Sequence, residues 1–187
     1  MALRQGDDTA LRLGRLTFNP LAHIDPIGTV ILPALCLWRG LPLLGWAKPV
    51  PVDPANFNQY RKAMVRVAAA GPAANLLLCV AAAVLARSLW SLPPVLPGFQ
   101  TSMVVALRYA MIVNLTLAFF NLIPVHPLDG SRIVSGLLPW RWSMSYERHA
   151  PYGVAIILAL LFLGFLNYLV GVPATVFLLL LRSVGLA

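Results

Sequence analysis

Hydrophobic and polar positions change their pattern at about residue 66. Before it, apolar runs are short and interrupted; after it, they are long and almost free of charge. Residues 67–86, VAAAGPAANLLLCVAAAVLA, and residues 109–128 each run 20 positions without a formal charge. At ~1.5 Å per residue that length crosses ~30 Å of hydrocarbon. The pattern predicts a first span over 67–86, a second from about Met103 to Ile123 and a third from near Pro151 to about Val170. After Gly171 and Pro173 it predicts a last apolar helix to about Val184. The first span is rich in Ala and Gly, so a neighbouring backbone can approach it closely. Pro93, Pro94 and Pro97 make 88–103 an uncharged loop. Asp129 to His149 reads as a second loop, with Trp140, Trp142 and Tyr146 as interfacial anchors.

The first 66 residues follow no spanning pattern. Gly14 to Pro20 alternates briefly as a strand would and then turns, and Asp25-Pro26 and Ile27-Gly28 mark another turn. Residues 27–38 are apolar but contain Pro33 and are too short to span, so they read as re-entrant or interfacial, with Leu41 to Trp46 as a second dip. Gly45 to Pro54 carries prolines at 49, 51 and 54 and reads as an extended, edge-like loop. The fold expected is therefore an all-α membrane protein. Residues 1–187 form one membrane-embedded domain: a polytopic helical core over 67–187 and a small β or irregular re-entrant region over 1–66.

Composition supports a membrane class. Of 187 residues, 59% are hydrophobic and 11% charged, where a soluble domain carries roughly 25% charged. The net charge of +8 would suit a nucleic-acid partner, but the basic residues lie between apolar runs and form no dense patch, so none is expected. Cys36 and Cys79 have no metal-ligand spacing and read as buried thiols. No Lys or Arg occurs between Ser88 and Leu107, whereas residues 1–66 and 129–149 are basic; the positive-inside rule places both basic regions in the cytoplasm.

Candidate chemistry centres on Asp129, the only acid within or bordering the second span. A carboxylate in hydrocarbon costs ~2.5–3.5 kcal/mol at a helix centre and less near the interface, so it calls for a partner. Two readings stand: a helix-end acid pairing with Arg132, or an oxygen ligand to a metal. Gly130 lets backbone approach closely, and Pro124 and Pro127 free carbonyls to point inward. His126 precedes Asp129 by three residues, but Pro127 breaks the spacing that would put both on one helix face, and it reads as interfacial. His23 could bond its own loop, and His149 reads as solvated. Asn75, Asn114 and Asn121 are polar groups in apolar spans; Asn114 and Asn121 share a face. They either bond between helices or, for Asn121 and Asn75, hold an extended substrate or steady an oxyanion.

Four blocks occur in order: GRLTFNPLAHIDPIGT, GWAKPVPVDP, AGPAANLLL and FNLIPVHPLDGSRI. In these the chain resembles the site-2 protease family of intramembrane zinc metalloproteases, over nearly its whole length. The last block carries that family's N-x-x-P-x-x-P-L-D-G pattern. The resemblance implies zinc held by two histidines of an H-E-x-x-H helix and by an aspartate corresponding to Asp129, with the motif Glu taking a proton from bound water. It implies single-span membrane proteins as substrates, the bilayer as environment, and a multi-pass protein of the bacterial inner membrane with its site near the cytoplasmic side.

The sequence contains no H-E-x-x-H; its histidines are 23, 126 and 149 and its one glutamate is Glu147. Placing the family pattern on GDDTA, Gly6 to Ala10, puts the second zinc histidine about two residues before Met1. The chain is therefore expected to be N-terminally truncated, with little or no activity as it stands, and codons upstream of Met1 to encode the motif. The alternative is a non-catalytic membrane protein, a degenerate protease that binds transmembrane helices. A small transporter lined by Asp129 and the asparagines is a further reading, opposed by the absence of two-half repeats.

Overall fold

A computed structural model describes residues 1–17, 19–39, 47–93 and 97–186. Two compact units follow one another along the chain, Met1–Ala63 and Met64–Ala187.

The first unit is built of short turns. Single turns of 3-10 helix lie at Ala2–Gln5, Pro20–His23 and Pro54–Asn56, and α1 is one turn, Thr9–Arg12. A wide turn at Pro26–Ile31 runs into α2, Leu32–Arg39. Together these last two make an apolar helix of Pro26–Arg39, too short to cross a bilayer. Asp25 starts it by accepting hydrogen bonds from the Ile27 and Gly28 amides at 3.0 and 2.8 Å. Of the two forms open to the N-terminal region, β or irregular, its described residues take the irregular one, without a strand. Among the described residues the alternation expected over Gly14 to Pro20 forms no ladder. Arg15 instead donates to the Ala22, Lys48 and Pro49 carbonyls, doing with a guanidinium what a neighbouring strand would do with amides. The expected dip at Leu41 to Trp46 lies outside the described residues.

Asp7 ties this unit together. Its side chain is 1% exposed, and its carboxylate accepts from the Thr9 hydroxyl and amide, the Asp53 amide and the Asn56 side chain. The Thr9 hydroxyl does most to hold the carboxyl down, at about 2, against desolvation; Asn56 and the Thr9 and Asp53 amides add to it. Gly6 has a left-handed φ of 102°, and a Cβ there would lie 2.9 Å from the Asn56 carbonyl oxygen.

The second unit carries the long helices: α3, Tyr60–Ser91, whose first turn belongs to the preceding unit; α4, Pro97–Asn121; α5, Asp129–Leu137; α6, Trp140–Glu147; α7, Gly153–Phe162; and α8, Phe165–Ser183. Among the described residues, three helices are long and apolar enough to cross a membrane: Tyr60–Ser91, Gly98–Asn121 and Phe165–Ser183. The helical membrane bundle expected from the sequence is the fold observed.

Three local expectations are corrected. Where it is described, the loop expected at 88–103 is largely helical, because α3 continues to Ser91 and Pro97 opens α4, the position where a missing amide costs nothing. The loop expected at Asp129 to His149 is α5 and α6; α5 is strongly amphipathic, and one apolar face suffices to fold it onto the bundle. The break expected at Gly171–Pro173 falls instead at Gly164, whose φ of 76° ends α7 and starts α8, so the third predicted span is split. Pro173 lies inside α8, where loss of one intrahelical bond is tolerated in a packed bundle.

Small residues place the core. Cys79, Ala82 and Ala83 of α3 pack on Met111 and Leu115 of α4 and on Leu181 of α8. Phe119 and Phe177 add an edge-to-face contact at 6.4 Å between α4 and α8. Leu77, Ile112 and Leu180 stay exposed on the outer faces, as lipid-facing side chains do. Cys36 and Cys79 are buried and unpaired.

Candidate metal-ligand site

The segment NLIPVHPLDG forms the end of α4, a tight succession of turns and the start of α5. Prolines 124 and 127 stop helix continuation, and the chain folds back through amide bonds from Val125 to Ile123 and from Leu128 to Val125 at 2.8 and 3.0 Å. The His126–Pro127 peptide is cis. Asp129 then occupies the first position of α5, where a carboxylate favours the helix dipole. Ser131, fully buried, locks this turn by donating its hydroxyl to the Leu128 carbonyl at 2.7 Å.

Glycines set where Asp129 sits. A Cβ at Gly130 would collide with the carbonyl oxygens of Leu122 and Ile123, so α5 can start against the end of α4 only with glycine there. A Cβ at Gly71 of α3 would lie 3.1 Å from Asp129 Oδ2, which places the carboxylate on the bare surface of that helix. Asn75 is one turn further along the same face of α3. A Cβ at Gly153 would strike the His126 carbonyl, which fixes the turn from its other side.

Asp129 is half-buried, and among the described residues it forms no ion pair and no side-chain hydrogen bond. Burial raises its carboxyl above the ordinary range, and the charge of Arg132 opposes that without closing to an ion pair. The simple pairing with Arg132 therefore does not form. His126 faces away into a separate group: its Nε2 is 3.2 Å from Glu147 Oε2, and its ring is 5.3 Å from that of Tyr146. Tyr146 donates its hydroxyl to the Pro124 carbonyl at 2.7 Å, clamping α6 to the turn. His149 Nδ1 bonds the Ser145 carbonyl and His23 Nε2 the Thr17 carbonyl, each within its own segment.

The asparagines differ. Asn121 and Asn114 turn their amide groups back on their own helix, donating to Leu117 and Ala110 carbonyls at 3.0 and 2.8 Å. Asn75 makes no side-chain hydrogen bond among the described residues. Gly71, Gly153 and the Tyr146 hydroxyl are parts of the site that the sequence reading missed, because the partner of each lies far away in the chain. Among the described residues no three His, Cys, Asp or Glu side chains come close enough to hold a metal. A zinc site takes at least three protein ligands, so the described residues supply one candidate ligand and not a complete site.

A family model described as Peptidase family M50 matches residues 95–164, which include this segment. YwhC of Bacillus subtilis (strain 168) is 37% identical over 161 residues, covering 86% of this chain and 70% of YwhC. The chain belongs to Peptidase family M50. Rip3 of Mycobacterium tuberculosis (strain ATCC 25618 / H37Rv) is 33% identical over 169 residues, 85% of this chain and 38% of Rip3. Rip2 of Mycolicibacterium smegmatis is 28% identical over 166 residues, 89% of this chain and 61% of Rip2. All three relatives are named putative zinc metalloproteases. The chain thus spans most of YwhC and only part of the other two. No solved structure matches it. Membership of this family bears out the resemblance drawn from the four sequence blocks.

Proposed function

We propose that this protein is the membrane-embedded part of a zinc-dependent intramembrane endopeptidase and that Asp129 is its carboxylate ligand. The observation that carries this is a half-buried carboxylate, seated on Gly71 and fixed by Gly130, that among the described residues forms no ion pair and accepts no side-chain hydrogen bond. A desolvated acid in that state is ready for a divalent ion. Two further donors would come from sequence outside these 187 residues, which contain no H-E-x-x-H. The chain alone is then expected to have little or no activity.

Substrates would be single-span membrane proteins whose helix unwinds locally, since a helical amide is enclosed in its own hydrogen bonds. The irregular stretch 47–53, which has no regular secondary structure of its own, could pair with such a strand. Asn75, whose amide makes no side-chain hydrogen bond among the described residues, is suited to hold substrate backbone, and Asn121 retains a side-chain carbonyl for the same task. The charge pattern favours a multi-pass protein of the bacterial inner membrane, its site near the cytoplasmic face.

The test is zinc content and cleavage of a single-span reporter by protein expressed with the in-frame codons upstream of Met1. One zinc per chain and cleavage, both lost in Asp129→Ala, are expected. Normal cleavage by Asp129→Ala would overturn the reading. That no three donors gather among the described residues favours a second reading, a non-catalytic membrane protein that binds transmembrane helices. Capture of transmembrane peptides by a zinc-free, upstream-extended protein would select it.

A further inference from the structure

α3, α4 and α8 border an open cavity of about 500 Å3 along the half of α4 remote from Asp129. Its walls include Val104, Met111 and Leu178, and it is lined as well by Trp90 and two arginines, Arg87 and Arg108. That volume falls within the ~300–1,000 Å3 of small-molecule sites.

Among the described residues the two arginines lack internal partners. No Asp or Glu occurs between residues 54 and 128 or after Glu147, so α3, α4 and α8 carry no acidic side chain. Among the described residues neither guanidinium forms an ion pair or a hydrogen bond. Uncompensated charge on membrane-spanning helices is costly, and such a residue points to a ligand.

Depth identifies the ligand. Arg87 directly follows the uncharged run 67–86, which is continuous helix and so ~30 Å long, one hydrocarbon thickness. It therefore lies where that layer gives way to phosphate headgroups. Arg108 lies within the span Gly98–Asn121 and lines the same cavity, and Trp90 is the aromatic type that favours this boundary. A guanidinium pair suits a phosphodiester, and the apolar walls suit an acyl chain.

We propose that this cavity binds an anionic phospholipid, its phosphate between Arg87 and Arg108 and one acyl chain along Val104, Met111 and Leu178. The site is separate from Asp129 and does not depend on the peptidase reading.

Native mass spectrometry of the delipidated full chain, titrated with phosphatidylglycerol or phosphatidylcholine, tests this. Wild type is expected to retain phosphatidylglycerol selectively. Arg87→Gln and Arg108→Gln should each weaken it about fivefold, and the double variant about 25-fold. Equal retention of the two lipids, or unchanged binding by the folded double variant, would overturn the proposal. So would displacement of the lipid by inorganic phosphate at equal concentration, since the chain contacts would then contribute nothing. If the double variant fails to fold, Leu178→Trp, which fills the cavity and keeps both charges, decides. Loss of phosphatidylglycerol supports the site, and unchanged binding removes it.

Discussion

Gly71 of α3 and Asp129 of α5 are in contact across 58 positions of sequence: a Cβ on Gly71 would lie 3.1 Å from Asp129 Oδ2. The carboxylate occupies the space that a side chain would fill. Replacing Gly71 by Ala gains up to ~1 kcal/mol of helix propensity while crowding the acid, so net stability should change little. Gly71→Leu has no such room and should cost ~1–3 kcal/mol. Thermal unfolding in detergent reads both; an equally stable Leu variant would show that the carboxylate is not seated there.

Gly130→Ala should be worse than Gly71→Ala, because its Cβ meets the Leu122 and Ile123 carbonyls rather than a side chain. Backbone cannot rotate aside, so a loss of at least ~1–3 kcal/mol is expected. A midpoint within a degree of wild type would contradict the tight packing of α5 on the end of α4.

Asp7 gives the N-terminal unit an acid limit. Its folded carboxyl sits at about 2, below the ordinary 3.8, so the folded form releases the proton more readily than the unfolded chain. The stability it contributes is present above the ordinary value and is lost as pH falls through the folded one. Hydrogen exchange of Met1–Ala63 within the intact chain should therefore accelerate over that interval. Asp7→Asn should exchange faster at neutral pH and lose this acid dependence; an unchanged profile would remove Asp7 from its role.

Tyr146→Phe should destabilise the unit by ~0.5–1.5 kcal/mol, the worth of the hydroxyl bond to Pro124. Glu147→Gln should cost less, at most ~1 kcal/mol, because its partnership with His126 is half open to solvent. The reverse ranking in thermal unfolding would mean that the ion pair, not the phenol, holds α6 to the turn.

Gly164 and Gly171 should respond oppositely to alanine. Gly164 has a φ of 76°, where a Cβ costs ~1–2 kcal/mol, whereas Gly171 is helical with open space around its Cβ and should gain up to ~1 kcal/mol. Unfolding midpoints that moved the same way would place the helix break elsewhere.

The long uncharged runs, the Ala-rich face of α3 and the N-x-x-P-x-x-P-L-D-G block were legible because each is local: hydropathy, residue size and motif spacing are read within a few turns. They determined a helical membrane protein of this family and singled out Asp129. The position of the α7–α8 break was not legible, since Gly164, Gly171 and Pro173 are all breakers by composition and only packing selects among them. Nor were the seat of Asp129 on Gly71, the turn of His126 toward Glu147, or the union of Arg87 and Arg108 in one cavity. Those are distances between residues far apart in the chain, and only the folded helices, by burying some surfaces and leaving others facing, decide them.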